Sequence, residues 1–379
     1  MRLTKLAVAL SVTLVASSAA LADITIGVSL SATGPAASLG IPEKNAFALL
    51  PTEIAGEKVN LIVLDDATDP TIATKNARRL VSDDNVDVLI GSSSTPATAA
   101  MAEVASESKT PLVTMSPVAL PVERSEGVFR TPQKNSVMAS AVIEHMQAKG
   151  VKTLGFIGFS DAYGEDWLNA VTAQAAEAGI KLAVVERYNR NDTSVTGQVL
   201  KLVAAKPDAI LIVGSGSPAA LPQSTLVDRG YKGQVYQTHA AANQAFLSVA
   251  GKAAEGVILP VGPVSVVAQL PDSHPSKASG LEFVKKYEAQ FGAGSFSAFA
   301  GYAHDAYRLI EAALPAAKAK AAPGTPEFRA ALRSALEASK EVVGVHGVYT
   351  MSPSDHFGLD ARSRVLVRIE GGAYKLITP

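Results

Sequence analysis

The sequence predicts an α/β protein of two similar domains, each a parallel sheet with helices on both faces. Three observations lead there. Short apolar runs rich in β-branched residues alternate with longer helical stretches from Ile24 onward. That alternation runs to about Met115 and then starts again. The chain, at 379 residues, is long for one core and comfortable for two.

The elements follow in order. Ile24 to Leu30 is a first strand, and the loop Ser31 to Gly40 leads into a helix near Pro42 to Leu50. Val59 to Leu64 reads as a strand, Pro70 to Asp83 as a helix and Val86 to Gly91 as a strand. Ser92 to Ser94 open a helix that runs to about Ser108, and Leu112 to Met115 is a further strand. The second series has a helix at Ser136 to Lys149 and strands at Thr153 to Phe159, Lys181 to Tyr188, Ala209 to Gly214 and Val235 to Thr238. Helices at Trp167 to Ala178, Val195 to Ala205 and Ala219 to Gly230 separate them. Val86 to Ser94 and Pro207 to Pro218 echo each other weakly. Ala278 to Phe291 and Gly301 to Ala317 are late helices, and Lys318 to Pro326 is an Ala/Pro/Gly-rich connection. Gly347 to Met351, Ser363 to Ile369 and Ala373 to Leu376 form a hairpin-like β finish.

Ahead of all this, Arg2 and Lys5 precede the apolar run Leu6 to Ala16, and Ala20-Leu21-Ala22 has the small-x-small form of a cleavage site. This is a secretory signal peptide cut after Ala22. A membrane anchor would need about 20 apolar residues. The mature protein is therefore expected in the periplasm. A net charge of −1 carries no basic footprint for nucleic acid. Cysteine is absent, which removes disulfides and a lipoprotein anchor, and cores of this size do not need either.

Enzyme signatures are missing. There is no Gly-x-Ser-x-Gly elbow, Walker loop or Gly-x-Gly-x-x-Gly fingerprint. The six histidines lack metal-ligand spacing, so no metal and no cofactor is expected. Asp65, Asp66 and Asp69 follow a strand and read as turn formers and caps. Open parallel sheets bind ligands at the carboxyl ends of their strands. Four loops lie there: Ser29 to Gly40, Gly91 to Pro96, Ser116 to Leu120 and Ser160 to Glu165. In the second, Ser94 or Thr95 can cap a helix opened by Pro96, leaving hydroxyls and free N–H groups for an anion, or forming an ordinary N-cap with solvated serines. Tyr163 can project into a cleft from the fourth, or lie on its surface.

Together these residues resemble the branched-chain amino-acid (Leu/Ile/Val) type of solute-binding protein of ABC importers. The pieces are Ile24 to Gly40, Asp65 to Pro70, Ile90 to Pro96, Met115-Ser116-Pro117, Tyr163-Gly164-Glu165, Ala254 to Val257 and Gly301-Tyr302-Ala303. They keep the family's order across essentially the whole mature chain. The resemblance implies two Rossmann-like lobes joined by three crossovers, with the solute between them and no catalysis. Lobe 1 would be 23–140 plus 273–346, and lobe 2 141–272 plus 347–379. It also implies a membrane permease as partner and a monomer.

In amino-acid binders of this family the serine-rich loop and the loop after it hold the α-carboxylate. Here those positions are Ser92, Ser93 and Ser94, then Val118, Ala119 and Leu120. A threonine common at Leu120 is missing, and Leu39 replaces a tyrosine that often lines the first loop. The ammonium-binding acid falls at or beside His239, and no Asp or Glu lies between Val235 and Phe246. A buried ammonium without a carboxylate is costly. The expected ligand is thus a small organic acid without an α-amino group. Its body would be aromatic or apolar, to suit Leu39, Val118, Leu120, Tyr163 and Tyr302. Gly216 completes the expected site. The alternatives are a branched-chain or other hydrophobic amino acid and, distantly, a secreted α/β hydrolase. His239 facing a ligand carboxylate would make binding strongest at low pH.

Overall fold

The structure, a computed structural model, describes residues 23–377. The signal peptide and its cleavage after Ala22 lie outside the described residues.

Strands Ile24–Leu30, Thr153–Phe159 and Ala209–Val213 are near-continuous apolar runs with almost every residue buried. Strands covered by helices on both faces need that composition. They nucleate two sheets. The first has the order Glu53–Ile54, Glu57–Asp65, Ile24–Leu30, Val88–Gly91, Leu112–Thr114, Val128–Arg130. The second has the order Ala373–Leu376, Val365–Glu370, Ile258–Val261, Gln234–Gln237, Ala209–Val213, Thr153–Phe159, Lys181–Tyr188. The outer strand Lys181–Tyr188 carries Lys181, Glu186 and Arg187, and such charges blunt a sheet edge.

Counted along each lobe, the parallel strands of both sheets lie in the spatial order 2-1-3-4-5. The strand order reverses between Ile24–Leu30 and Val88–Gly91 in the first sheet, and between Thr153–Phe159 and Ala209–Val213 in the second. At such a point the two neighbouring loops diverge to opposite faces and leave a crevice. The loops that begin at Ser31, Ser92, Ser160 and Gly214 all sit at these two crevices.

Several expectations shift. The first helix is Ala37–Phe47, with Pro42 inside it, so it starts ahead of the proline. The fourth-loop residue Tyr163 belongs to helix Ala162–Glu177, which Asp161 caps through the Tyr163 and Gly164 amides. Strands Val128–Arg130 and Ile258–Val261 were not anticipated. Val348–Tyr349 pairs with Val342–Val343 and takes no part in the terminal hairpin, which is Val365–Glu370 with Ala373–Leu376.

The chain passes between the sheets three times. Helix Asn135–Ala148 packs on helix Ala162–Glu177, whereas the late helix Phe299–Lys318 packs along Ala37–Phe47. The three passages converge where Gln133, Gly262 and His346 meet. A Cβ on Gly262 would stand 2.1 Å from His346 Nδ1 and 3.0 Å from Gln133 Nε2, so only glycine fits there. The Gln133 amide also donates to the Ser363 carbonyl at 2.7 Å.

Candidate functional site

The first lobe presents a serine-rich turn over a buried carboxylate. Asp66 is fully buried and accepts from the hydroxyls of Ser31 (2.7 Å), Ser92 (2.6 Å) and Ser29 (3.1 Å), and from the Thr68 amide (3.0 Å). Asp66 therefore ties the loop after the first strand to the loop after the third. The Ser31 amide completes the tie by donating to Ser93 Oγ at 3.0 Å. Asp69 caps helix Pro70–Ser82 as expected. Ser94 precedes helix Thr95–Ser108, yet its hydroxyl makes no capping bond and has no partner among the described residues. Thr95 Oγ1 instead donates to the Pro117 carbonyl at 2.7 Å.

The second lobe presents Tyr163, Arg190, Ser215 and His239. Arg190 follows strand Lys181–Tyr188. Its Nε donates to Asp161 Oδ2 at 2.7 Å and its Nη1 to Ser215 Oγ at 2.9 Å, while the guanidinium lies 4.2 Å over the Phe159 ring. Two of its N–H groups are thereby engaged, and the fork still has donors to offer. The Tyr163 hydroxyl donates to Thr238 Oγ1 at 2.8 Å. The buried His239 ring packs near both Tyr163 and Trp167, and its Nδ1 lacks a partner among the described residues.

These groups line one cavity between the lobes, together with Leu39, Ser93, Ser94, Phe299 and Tyr302. Its volume is about 20 Å³, room for little more than one water, so the lobes stand almost shut. Arg190 is the only charged residue in the lining, and no carboxylate is among it. Aromatic and aliphatic surface surrounds the serines, from Leu39, Met115, Pro117, Phe299 and the two tyrosines.

Of the residues expected from sequence, Leu39, Ser93, Ser94, Tyr163, His239 and Tyr302 meet here. Five do not. Ser92 turns its hydroxyl inward to Asp66 and its amide to Thr98 Oγ1. The Val118 carbonyl accepts from Arg130 Nε at 3.1 Å and its side chain is buried outside the lining, although Ser116 and Pro117 of the same loop reach the cavity. Ala119 is exposed, and Leu120 packs on the cluster behind the first sheet. Gly216 lies just beyond the cavity, against Ser38 and Leu39 of the first lobe. A Cβ there would be 2.3 Å from Ser38 Oγ, and its φ of +54° already suits glycine. Gly216→Val is expected to prop the lobes apart. Small-angle scattering should then show no ligand-induced compaction, and affinity should fall roughly tenfold or more.

His239 behaves differently from expectation. Burial, and then the proximity of His346, pull its pKa down to about 3. The free protein thus carries neutral His239 across physiological pH, and the low-pH binding window moves below the useful range. The imidazole resonances of His239 should stay unmoved from about pH 5.5 to 8.5. A midpoint near the ordinary value of about 6.5 would mean that the ring is open to solvent.

Arg190, Ser215, Met115 and Phe299 were not anticipated as lining. Arg190 sits in a polar stretch, Asn189 to Asp192, that reads as solvated loop; only its place after a strand end could have pointed to the cleft.

Comparison with known proteins bears on the family and the fold. A family model described as "Periplasmic binding protein" matches residues 23–372. The chain is 27% identical to Leu/Ile/Val-binding protein homolog 3 of Brucella melitensis over 357 residues, covering 91% of each. An extracellular ligand-binding receptor from Rhodopseudomonas palustris HaA2 superimposes with a TM-score of 0.93 at 46% identity, over 94% of this chain and 100% of that one. A solute-binding protein of an ABC transporter from R. palustris, solved in complex with benzoate, gives a TM-score of 0.76 at 20% identity, over 94% of this chain and 96% of that one. Among the described residues no helix is long and apolar enough to cross a membrane.

Proposed function

We propose, for a chain that belongs to the periplasmic binding protein family, that the cleft takes a small organic acid with an aromatic or apolar body and no α-ammonium group. The chain would bind it without turnover, as the extracytoplasmic component of an ABC importer, and hand it to a membrane permease. The two lobes are taken as 23–140 plus 273–346 and 141–272 plus 347–379, a division that the membership of the two sheets supports.

One observation carries the ligand reading: the lining holds a single cation, Arg190, and no carboxylate. A ligand carboxylate finds Arg190, Ser93 and Ser94. An ammonium finds no ionised partner, and burying it unpaired is unfavourable by several kcal/mol at order of magnitude. The fold does not choose between the two, since one structural neighbour holds benzoate and a relative is named for Leu, Ile and Val. That relative's name favours the second reading, a branched-chain or other hydrophobic amino acid. Nothing in the cleft supports a hydrolase.

The test is a thermal-shift screen of the exported protein with benzoate, other aromatic acids, short aliphatic acids, benzamide and leucine. A ligand at about 100 times its Kd stabilises by about 2.7 kcal/mol. Aromatic acids should raise the melting temperature, and benzamide and leucine should not. Stabilisation by leucine alone would overturn the ligand assignment.

A further inference from the structure

Behind Ser93 stands a carboxyl group that the proposed binding mode does not use. Glu43, on helix Ala37–Phe47, is completely buried. Its Oε2 is 2.5 Å from Ser93 Oγ, and its Oε1 has no partner among the described residues. Two further groups lie near enough to act on it electrostatically: Asp66, from the turn after strand Glu57–Asp65, and the Tyr302 phenol, from helix Phe299–Lys318. No lysine or arginine pairs with it among the described residues.

The hydrogen-bond capacity of Ser93 decides what this means. A hydroxyl has one proton to give and two lone pairs to receive. One lone pair already accepts the Ser31 amide. If Glu43 were ionised it could only accept, so the Ser93 proton would have to point at it. Ser93 would then show the cleft a lone pair, with a negative charge behind it. If Glu43 is a carboxylic acid, its O–H donates to the second lone pair of Ser93. The Ser93 proton is then free to turn into the cavity and meet an anion. We propose that Glu43 is a positioning residue, a protonated acid that aims the Ser93 hydroxyl at the ligand carboxylate. Burial pushes the Glu43 carboxyl well above its ordinary range; the Ser93 bond pulls the other way and the nearby Asp66 charge adds to the rise. A solvent-facing serine would bind an anion or a cation equally readily. One backed by an acid is committed to an anion, and loses that commitment where Glu43 ionises.

This rests on the reading that the ligand carries a carboxylate, and the experiment separates the two. Infrared difference spectra of the unliganded protein against Glu43→Gln at pH 7 should show the carbonyl band of a protonated acid in the parent alone. If the variant does not fold, carbon-13 glutamate labelling of the parent identifies the same band by its shift. No such band would overturn the proposal, whatever the ligand. Benzoate and leucine, which both carry a carboxylate, are then titrated calorimetrically into parent, Glu43→Gln and Ser93→Ala. For the probe that binds, Ser93→Ala should weaken affinity by about tenfold or more. Glu43→Gln, whose amide N–H replaces the acid O–H, should stay within about threefold. A Glu43→Gln variant that binds about tenfold tighter would show that Glu43 is ionised, and one as weak as Ser93→Ala would show that the amide cannot replace it; either overturns the proposal. Binding of leucine in place of benzoate overturns the ligand reading and leaves the role of Glu43 standing.

Discussion

Replacing Asp305 with alanine is expected to lower stability by about 3–5 kcal/mol, read as a fall in the urea midpoint. Asp305 is fully buried on helix Phe299–Lys318 and anchors the third passage between the lobes. Its Oδ1 accepts from the Val345 amide (2.8 Å) and His304 Nδ1 (2.9 Å), and its Oδ2 from the His346 amide (2.9 Å) and the Tyr349 hydroxyl (2.9 Å). Alanine would strand the buried Val345 and His346 amides, each at about 1–3 kcal/mol, whereas the Tyr349 hydroxyl would keep the Thr131 carbonyl as acceptor. Burial alone would raise the carboxyl pKa, but the His304 bond and charge, the His346 charge and the Val345 amide outweigh it and hold it below the ordinary value. The sign follows. The stabilisation is complete above the unfolded pKa of about 3.9 and is lost as pH falls through the lower folded value. The parent should therefore lose this part of its stability in acid, and Asp305→Ala should not. A loss under about 1 kcal/mol would mean that the passages hold without this carboxylate.

The second large effect concerns affinity. Arg190→Gln should weaken benzoate binding by about 30- to 1,000-fold, corresponding to about 2–4 kcal/mol. The guanidinium is the lone cation of the lining and is held in place by Asp161, Ser215 and the Phe159 ring. Glutamine removes the charge and the fork while keeping an amide near Ser215. Asp161 would lose its ion pair but retain the Tyr163 and Gly164 amides, so folding should survive. Benzamide, the neutral isostere, controls for shape: any weak affinity it has should hardly change. Equal losses for both probes would mean that Arg190 supports the wall rather than the anion.

Sequence reading reached the strands best where composition leaves little choice. Ile24–Leu30, Thr153–Phe159 and Lys181–Tyr188 have the bounds that their apolar runs suggest. It failed on the short strands Val128–Arg130 and Ile258–Val261, which depend on neighbours already in place. At the site, the serine loop and Tyr163 were legible because they stand at strand ends, and His239 was proposed from the family resemblance. What each serine does was not. Ser92, Ser93 and Ser94 are identical side chains in adjacent positions, yet one faces Asp66, one is shared with Glu43 and one is free. Those roles come from residues distant in the chain. Arg190 was invisible for the same reason: Phe159 at the end of one strand, Asp161 just after it and Ser215 after another strand convert a loop arginine into a lining residue.

The near-contact of Gly216 with Ser38 has a practical side. Helix Ala37–Phe47 meets the second lobe at that point, so any opening of the cleft would change the surroundings of its outer flank. Ile41 lies on this helix just beyond Leu39 and is 48% exposed. The chain contains no cysteine, so Ile41→Cys would offer a thiol with no rival in the sequence. An environment-sensitive fluorophore attached there would convert the hinge movement into an optical signal, and the protein into a reagentless sensor for whichever solute draws the lobes together.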